Sequence, residues 1–163
     1  MGDYYADQFR GKAAGWSGKS SAVYGTPTYY VMAMYANREL DQVVPCRTEC
    51  GSFRVSSPVP GAPRLEDLPE LDVVACRNAS GNKLTMFVVN RSLEDTAAEI
   101  WLDGFAGSGT ARLLELTADD PEAFNSVEHP ERVACVTHEI PIAEGRMTCM
   151  LRASSVYALE ASC

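Results

Sequence analysis

The sequence has no long hydrophobic run: no apolar stretch approaches the roughly 20 residues of a membrane span. Positive charge is also short, with 14 Lys and Arg against 22 Asp and Glu and a formal net charge of −8. An acidic surface disfavours phosphate backbones and anionic lipid, so neither nucleic acid nor a membrane is expected as a partner. Met1-Gly2-Asp3-Tyr4-Tyr5 shows no basic patch followed by an apolar block, and a cytoplasmic location is therefore expected. Gly2 does not make a myristoylation signal, because the sixth residue is Ala6 rather than Ser or Thr.

Chemistry-bearing patterns are sparse. The two histidines lie in Glu128-His129-Pro130 and Thr137-His138-Glu139, and no serine sits in a nucleophile-elbow pattern. Cys46-x3-Cys50 is half of a zinc pattern with no second close pair to complete it. The other cysteines are Cys76, Cys135, Cys149 and Cys163. In a chain this rich in aliphatics, with no export signal, reduced thiols are expected. Asp119-Asp120-Pro121-Glu122 is the densest acidic cluster, but neighbours on one turn do not face each other across a cleft as an acid/base pair must. It also lacks the central glycine of a calcium loop. Gly104-Phe105-Ala106-Gly107-Ser108-Gly109 continues into a strand-like run rather than Lys-Ser/Thr and a helix, so it reads as a turn and not a phosphate loop. Asn78-Ala79-Ser80 and Asn90-Arg91-Ser92 match the glycosylation triplet, which means little without export. No catalytic residue, metal site or cofactor is expected.

What is present begins with Thr26-Pro27-Thr28-Tyr29-Tyr30-Val31-Met32-Ala33-Met34-Tyr35. Thr26 suits an N-cap and Pro27 the first helical position. Tyr30 with Met34, and Val31 with Tyr35, are four apart and share a face. The helix should run to about Asn37 or Arg38. A helix of about a dozen residues is only about 18 Å long and marginal alone. Residues 1 to 25 are glycine-dotted and carry Tyr4, Tyr5, Phe9, Trp16 and Tyr24, an aromatic content unlike a disordered tail. Nothing in them looks able to cover the helix, which suggests a piece of a larger molecule. Their aromatics either contact a neighbour or pack back on this chain.

Past residue 38 the pattern turns extended. Val43-Val44-Pro45 is a short extended piece. Ser56 to Pro63 holds three prolines and reads as linker or edge, and Leu65 to Leu71 as a covering loop. From Leu71 the period is two. Leu71–Cys76 and Lys83–Asn90 flank Asn78-Ala79-Ser80-Gly81-Asn82 and make a hairpin, with Leu84, Met86 and Val88 on one face. Further strands are expected at 97–102, 111–116, 132–142, 147–152 and 154–159. In the first of these, Trp101 points away from Ile100 and Leu102. Short strands punctuated by turns indicate an all-β sandwich or barrel.

Four segments, in order, carry a resemblance: Thr26–Tyr35, Val43–Pro45, Lys83–Ser92 and Asn125-Ser126-Val127-Glu128-His129-Pro130-Glu131-Arg132-Val133. The chain resembles the C-terminal part of bacterial α-L-arabinofuranosidases of glycoside hydrolase family fifty-one, whose late signature is Asn-Thr-(Phe/x)-Glu-x-Pro-x-x-Val. The closing Leu151-Arg152-Ala153-Ser154-Ser155-Val156 is similar to the family's Leu-Pro-Pro-x-Ser-Val with both prolines missing. The resemblance runs from about Thr26 to Glu160.

The resemblance implies a catalytic (β/α)8 barrel followed by an antiparallel β-sandwich, with the Thr26–Tyr35 helix as the last of the barrel. It divides the chain into a barrel remnant at 1–38, a linker and covering segment at 39–70 and a sandwich at 71–163. It implies a retaining glycosidase that removes terminal arabinofuranosyl groups with two barrel glutamates. Residues 1–25 contain no Glu, so no catalytic residue carries over. The expected function is thus a non-catalytic sandwich that supports the missing barrel and the oligomer. Two alternatives remain: a carbohydrate-binding module using Trp101, and self-association into a homo-oligomer through a face of Tyr29, Tyr30, Val31 and Met34.

Overall fold

A computed structural model describes residues 23–55, 65–107 and 109–163. Among them are one α-helix, α1 (Pro27–Ala36), and ten strands: β1 (Gln42–Val44), β2 (Ser52–Val55), β3 (Leu65–Pro69), β4 (Leu71–Arg77), β5 (Lys83–Asn90), β6 (Thr96–Trp101), β7 (Gly109–Thr117), β8 (Ala134–Ile142), β9 (Arg146–Leu151) and β10 (Ser155–Ser162). The main sheet has six strands in the order β1-β4-β5-β10-β7-β8, with each neighbouring pair antiparallel. β6 pairs with β9 in a second, two-stranded sheet, and β2 with β3 in a third.

The principal core lies between the inner face of the main sheet and the β6–β9 sheet. Leu84, Met86 and Val88 of β5, Ala111 and Leu113 of β7, and Tyr157 and Leu159 of β10 meet Met147 and Leu151 of β9, with Ala98, Ile100 and Cys149 packed alongside. Leu84, Met86 and Val88 share a face as the alternation requires. The β4–β5 hairpin also forms as expected, in the register Leu71↔Asn90 to Arg77↔Leu84. Asn78 closes its turn: Oδ1 accepts from Lys83 N at 3.0 Å and Nδ2 donates to Asn82 Oδ1 at 2.8 Å. Gly81, at φ 73°, takes the left-handed position open to glycine.

A second cluster occupies the opposite face of the same sheet. Phe87, Leu116 and Ala158 are buried there with Met34 of α1 and Val133, and Tyr30, Val31 and Cys135 pack against them. The central strands are therefore buried on both sides, which is why Lys83–Asn90 and Ser155–Ser162 read as nearly continuous apolar runs.

This corrects the expectation of an unpartnered helix. The main sheet itself receives α1: Met34 is 1% exposed, and the Tyr35 ring stacks on Phe87 with centroids 4.1 Å apart. The helix begins as expected, with Thr26 Oγ1 accepting from Tyr29 N at 3.1 Å and Pro27 in the first turn.

Leu65–Pro69, expected as a loop, is β3, and β1 extends the main sheet beside β4. Ser56 to Pro63 and most of residues 1–25 lie outside the described residues.

Candidate functional site

Three places gather side chains that could act on something beyond the fold. The first is the outward side of α1. The helix is apolar nearly all round, a character that belongs to buried helices. Its sheet-facing side is Tyr30, Val31 and Met34. Its far side leaves Tyr29 at 61% and Met32 at 63% exposed, with Val23 bare just upstream. The face named from sequence therefore splits. Met34 is consumed inside the chain and cannot contribute to an association surface, because Tyr30, Val31 and Met34 follow the sheet while Tyr29 and Met32 point away from it. Alternation at four-residue spacing cannot tell which side of a doubly apolar helix will be covered.

Asn125, the first residue of the late signature, fastens the entry to α1. It is buried; its Oδ1 accepts from Val133 N at 2.7 Å, and its Nδ2 donates to Val133 O at 2.8 Å and Gly25 O at 2.7 Å. One amide thus closes the Asn125–Val133 loop and ties the residue before the Thr26 cap to it. Sequence reasoning used this motif only as a resemblance, because its partner lies 100 residues away.

The second place is the outer face of β6–β9. Trp101 is 58% exposed, on the side opposite Ile100 and Leu102, as the alternation indicated. Its cross-strand neighbour Arg146 lays a guanidinium 4.7 Å from the ring centroid. Glu99 and Glu144 hold that guanidinium at 3.6 Å and 3.5 Å. Glu144 and Gly145, at φ 52° and 72°, form the tight turn that delivers Arg146 to this position.

The third is a polar chain that starts in the core at Tyr157 and Glu115 and runs out to the exposed His138. Tyr157 Oη donates to Glu115 Oε1 at 2.9 Å and accepts from Arg152 N at 2.6 Å. His138 Nε2 lies 2.8 Å from Glu115 Oε2. Burial, chiefly, pushes the Tyr157 phenol up to about 12. Ala153 N donates to Asp95 Oδ1 at 2.8 Å. Both of these backbone donors stand where the resemblance has prolines, which carry no N–H. The missing prolines are thus replaced by two hydrogen bonds.

The remaining sequence candidates are structural. Asp120 Oδ1 accepts from Glu122 N at 2.9 Å and Asp119 pairs with Arg152 at 3.0 Å, the geometry of a solvated turn. Asn78 and Asn90 are both buried, and Asn90 Nδ2 is committed to carbonyls of Glu94, Leu151 and Arg152. All six cysteines are free. Among the described residues no group of three His, Cys, Asp or Glu side chains could hold a metal ion, and no helix is long and apolar enough to cross a membrane.

A two-layered antiparallel sandwich with an apolar helix on its outer face defines an all-β sandwich domain. The model of the α-L-arabinofuranosidase C-terminal domain matches residues 12–155, and the chain belongs to that family. Solved structures agree on the fold. The thermostable GH51 α-L-arabinofuranosidase from Thermotoga petrophila RKU-1 is 23% identical at a TM-score of 0.77, over 87% of this chain and 30% of that one. The α-L-arabinofuranosidase from Thermotoga maritima, in its arabinose complex, is 23% identical at a TM-score of 0.75, over 85% and 29%. AbfB, a family 51 α-L-arabinofuranosidase from Bifidobacterium longum, is 26% identical at a TM-score of 0.66, over 85% and 26%. This chain spans about 30% of the length of the first of these structures. No curated protein matches.

Proposed function

We propose that this chain serves as the non-catalytic sandwich of a retaining α-L-arabinofuranosidase acting on arabinose-containing poly- or oligosaccharides, and that it buttresses a catalytic barrel. The observation that carries this is the double-sided helix. One side of α1 is sealed on the sandwich, and the other presents Tyr29 and Met32 as a ready contact for a second body. The family match, over a chain about 30% the length of its structural relatives, supports that second body being the barrel. Six free cysteines support a reducing, cytoplasmic setting. The test is association with a GH51 barrel produced without its own sandwich. A saturable complex is expected, lost in a Tyr29→Asp/Met32→Asp double variant. No complex, or one indifferent to the double variant, contradicts the proposal. Light scattering on the chain alone shows whether the same face instead joins two copies.

A second reading rests on Trp101. Its indole is exposed on the outer face and braced by Arg146, an arrangement suited to stacking on a sugar ring beside the polar groups of Glu99 and Glu144. Arabinoxylan oligosaccharides titrated into the protein should quench Trp101 fluorescence in a saturable way. Undiminished affinity in Trp101→Ala removes this site.

A further inference from the structure

The bare side chains of α1 fall on one ridge. Tyr29, Met32 and Tyr35 are spaced three residues apart and all exposed, so they neighbour one another along the outer side of the helix. The C-terminal end of that ridge steps down onto the sheet, because the Tyr35 ring stacks on Phe87 of β5. Beyond Phe87 the strand registers carry the same face further. Val74 of β4 stands directly opposite Phe87, and directly opposed residues of an antiparallel pair share a face. Cys76, two residues on, shares it too, and Val43 of β1 stands opposite Cys76. Val74 is exposed, and Val43 is 67% exposed. α1 itself lies over β7 and β8, at the other end of the sheet from β4 and β1.

The result is a stepped apolar surface, with Tyr29, Met32 and Tyr35 above and Val74 and Val43 below. The charges that flank its lower level already neutralise each other. Arg91 pairs with Asp72 at one end, and Lys83 pairs with Glu39 at 3.4 Å at the other. Opposite charges held against each other recruit no charged partner, so the surface suits a neutral, apolar one. Area points the same way. An aromatic side chain buries about 150–250 Å², so Tyr29 and Met32 together fall well short of the about 800 Å² per partner of a stable interface. Tyr35, Val74 and Val43 are the apolar surface continuous with them. We propose that the catalytic barrel docks across this step, covering Val74 and Val43 of the sheet as well as the helix. The inference rests on the reading of α1 as the barrel's contact and adds the sheet as the second half of the footprint. The barrel is the occupant because the chain spans about 30% of the length of a structure that shares its fold, which leaves most of such a molecule in another body.

The measurement is binding of the whole chain to a GH51 barrel produced without its own sandwich and shown to be folded by its turnover of an aryl α-L-arabinofuranoside. Val43→Asp/Val74→Asp should bind about tenfold more weakly than the parent, since covering even one valine side chain is worth about that factor. Added sodium chloride should not weaken the parent complex. By NMR, saturating the barrel's protons should attenuate the methyl signals of Val43 and Val74 in the parent, a readout that decides the matter if the double variant does not fold. A complex lost in Tyr29→Asp/Met32→Asp but unmoved by Val43→Asp/Val74→Asp, or unattenuated Val43 and Val74 methyls, leaves the α1 contact standing and overturns the wider footprint. No complex at all overturns both. Weakening by salt overturns the apolar character of the contact. Self-association of the chain alone, abolished by Val43→Asp/Val74→Asp, puts a second copy on the step and overturns the barrel as its occupant.

Discussion

Tyr157 shows how one residue joins packing to electrostatics. Its ring fills the core between the sheets, while its hydroxyl sits between the Glu115 carboxylate and the Arg152 amide. A phenol pushed up to about 12 in the folded chain, against about 10 in the unfolded one, binds its proton more tightly when folded. The associated stability is fully present below about pH 10 and is lost as pH rises toward about 12. Thermal melts between those limits should fall more steeply for the parent than for Tyr157→Phe, and parallel curves would contradict the assigned environment. None of this cluster was legible beforehand. Glu115, His138 and Tyr157 are distant in sequence and meet only through the β10–β7 and β7–β8 registers. Trp101, by contrast, was legible, because strand alternation alone puts it opposite Ile100 and Leu102.

At the scale of elements, the two methionines of α1 separate what the sandwich holds from what it leaves bare. Met34→Ala empties a fully buried site and should cost about 2–5 kcal/mol in denaturant unfolding. Met32→Ala, on the exposed side, should stay within about 0.5 kcal/mol. Equal costs would mean that α1 does not dock as described. The cap and proline made the start of this helix readable, and the hairpin turn did the same for β4 and β5. The helix's partner was readable in principle. A run such as Lys83–Asn90, apolar on both parities, marks a strand covered on both faces. Leu65–Pro69 escaped notice because an acidic, proline-ended segment at the edge of a small sheet has almost no strand signature.

For the whole molecule, the two clusters on opposite faces of one sheet make α1 a structural part of the sandwich, with Tyr29 and Met32 left exposed on its outer side. The helix is held by Met34, by the Tyr35–Phe87 stack and by the Asn125 bond to Gly25. A barrel gripping its outer side would thus be coupled rigidly to the sandwich rather than tethered through a loose linker. In this account the acid and nucleophile belong to that barrel, and the β-domain contributes position and support. A barrel active site draws on loops from several parallel strands, whereas every strand pairing among the described residues is antiparallel. The most direct measurement is hydrolysis of an aryl α-L-arabinofuranoside by the pure chain. The account predicts release no faster than the buffer blank at any protein concentration, whereas saturable release proportional to protein would contradict it.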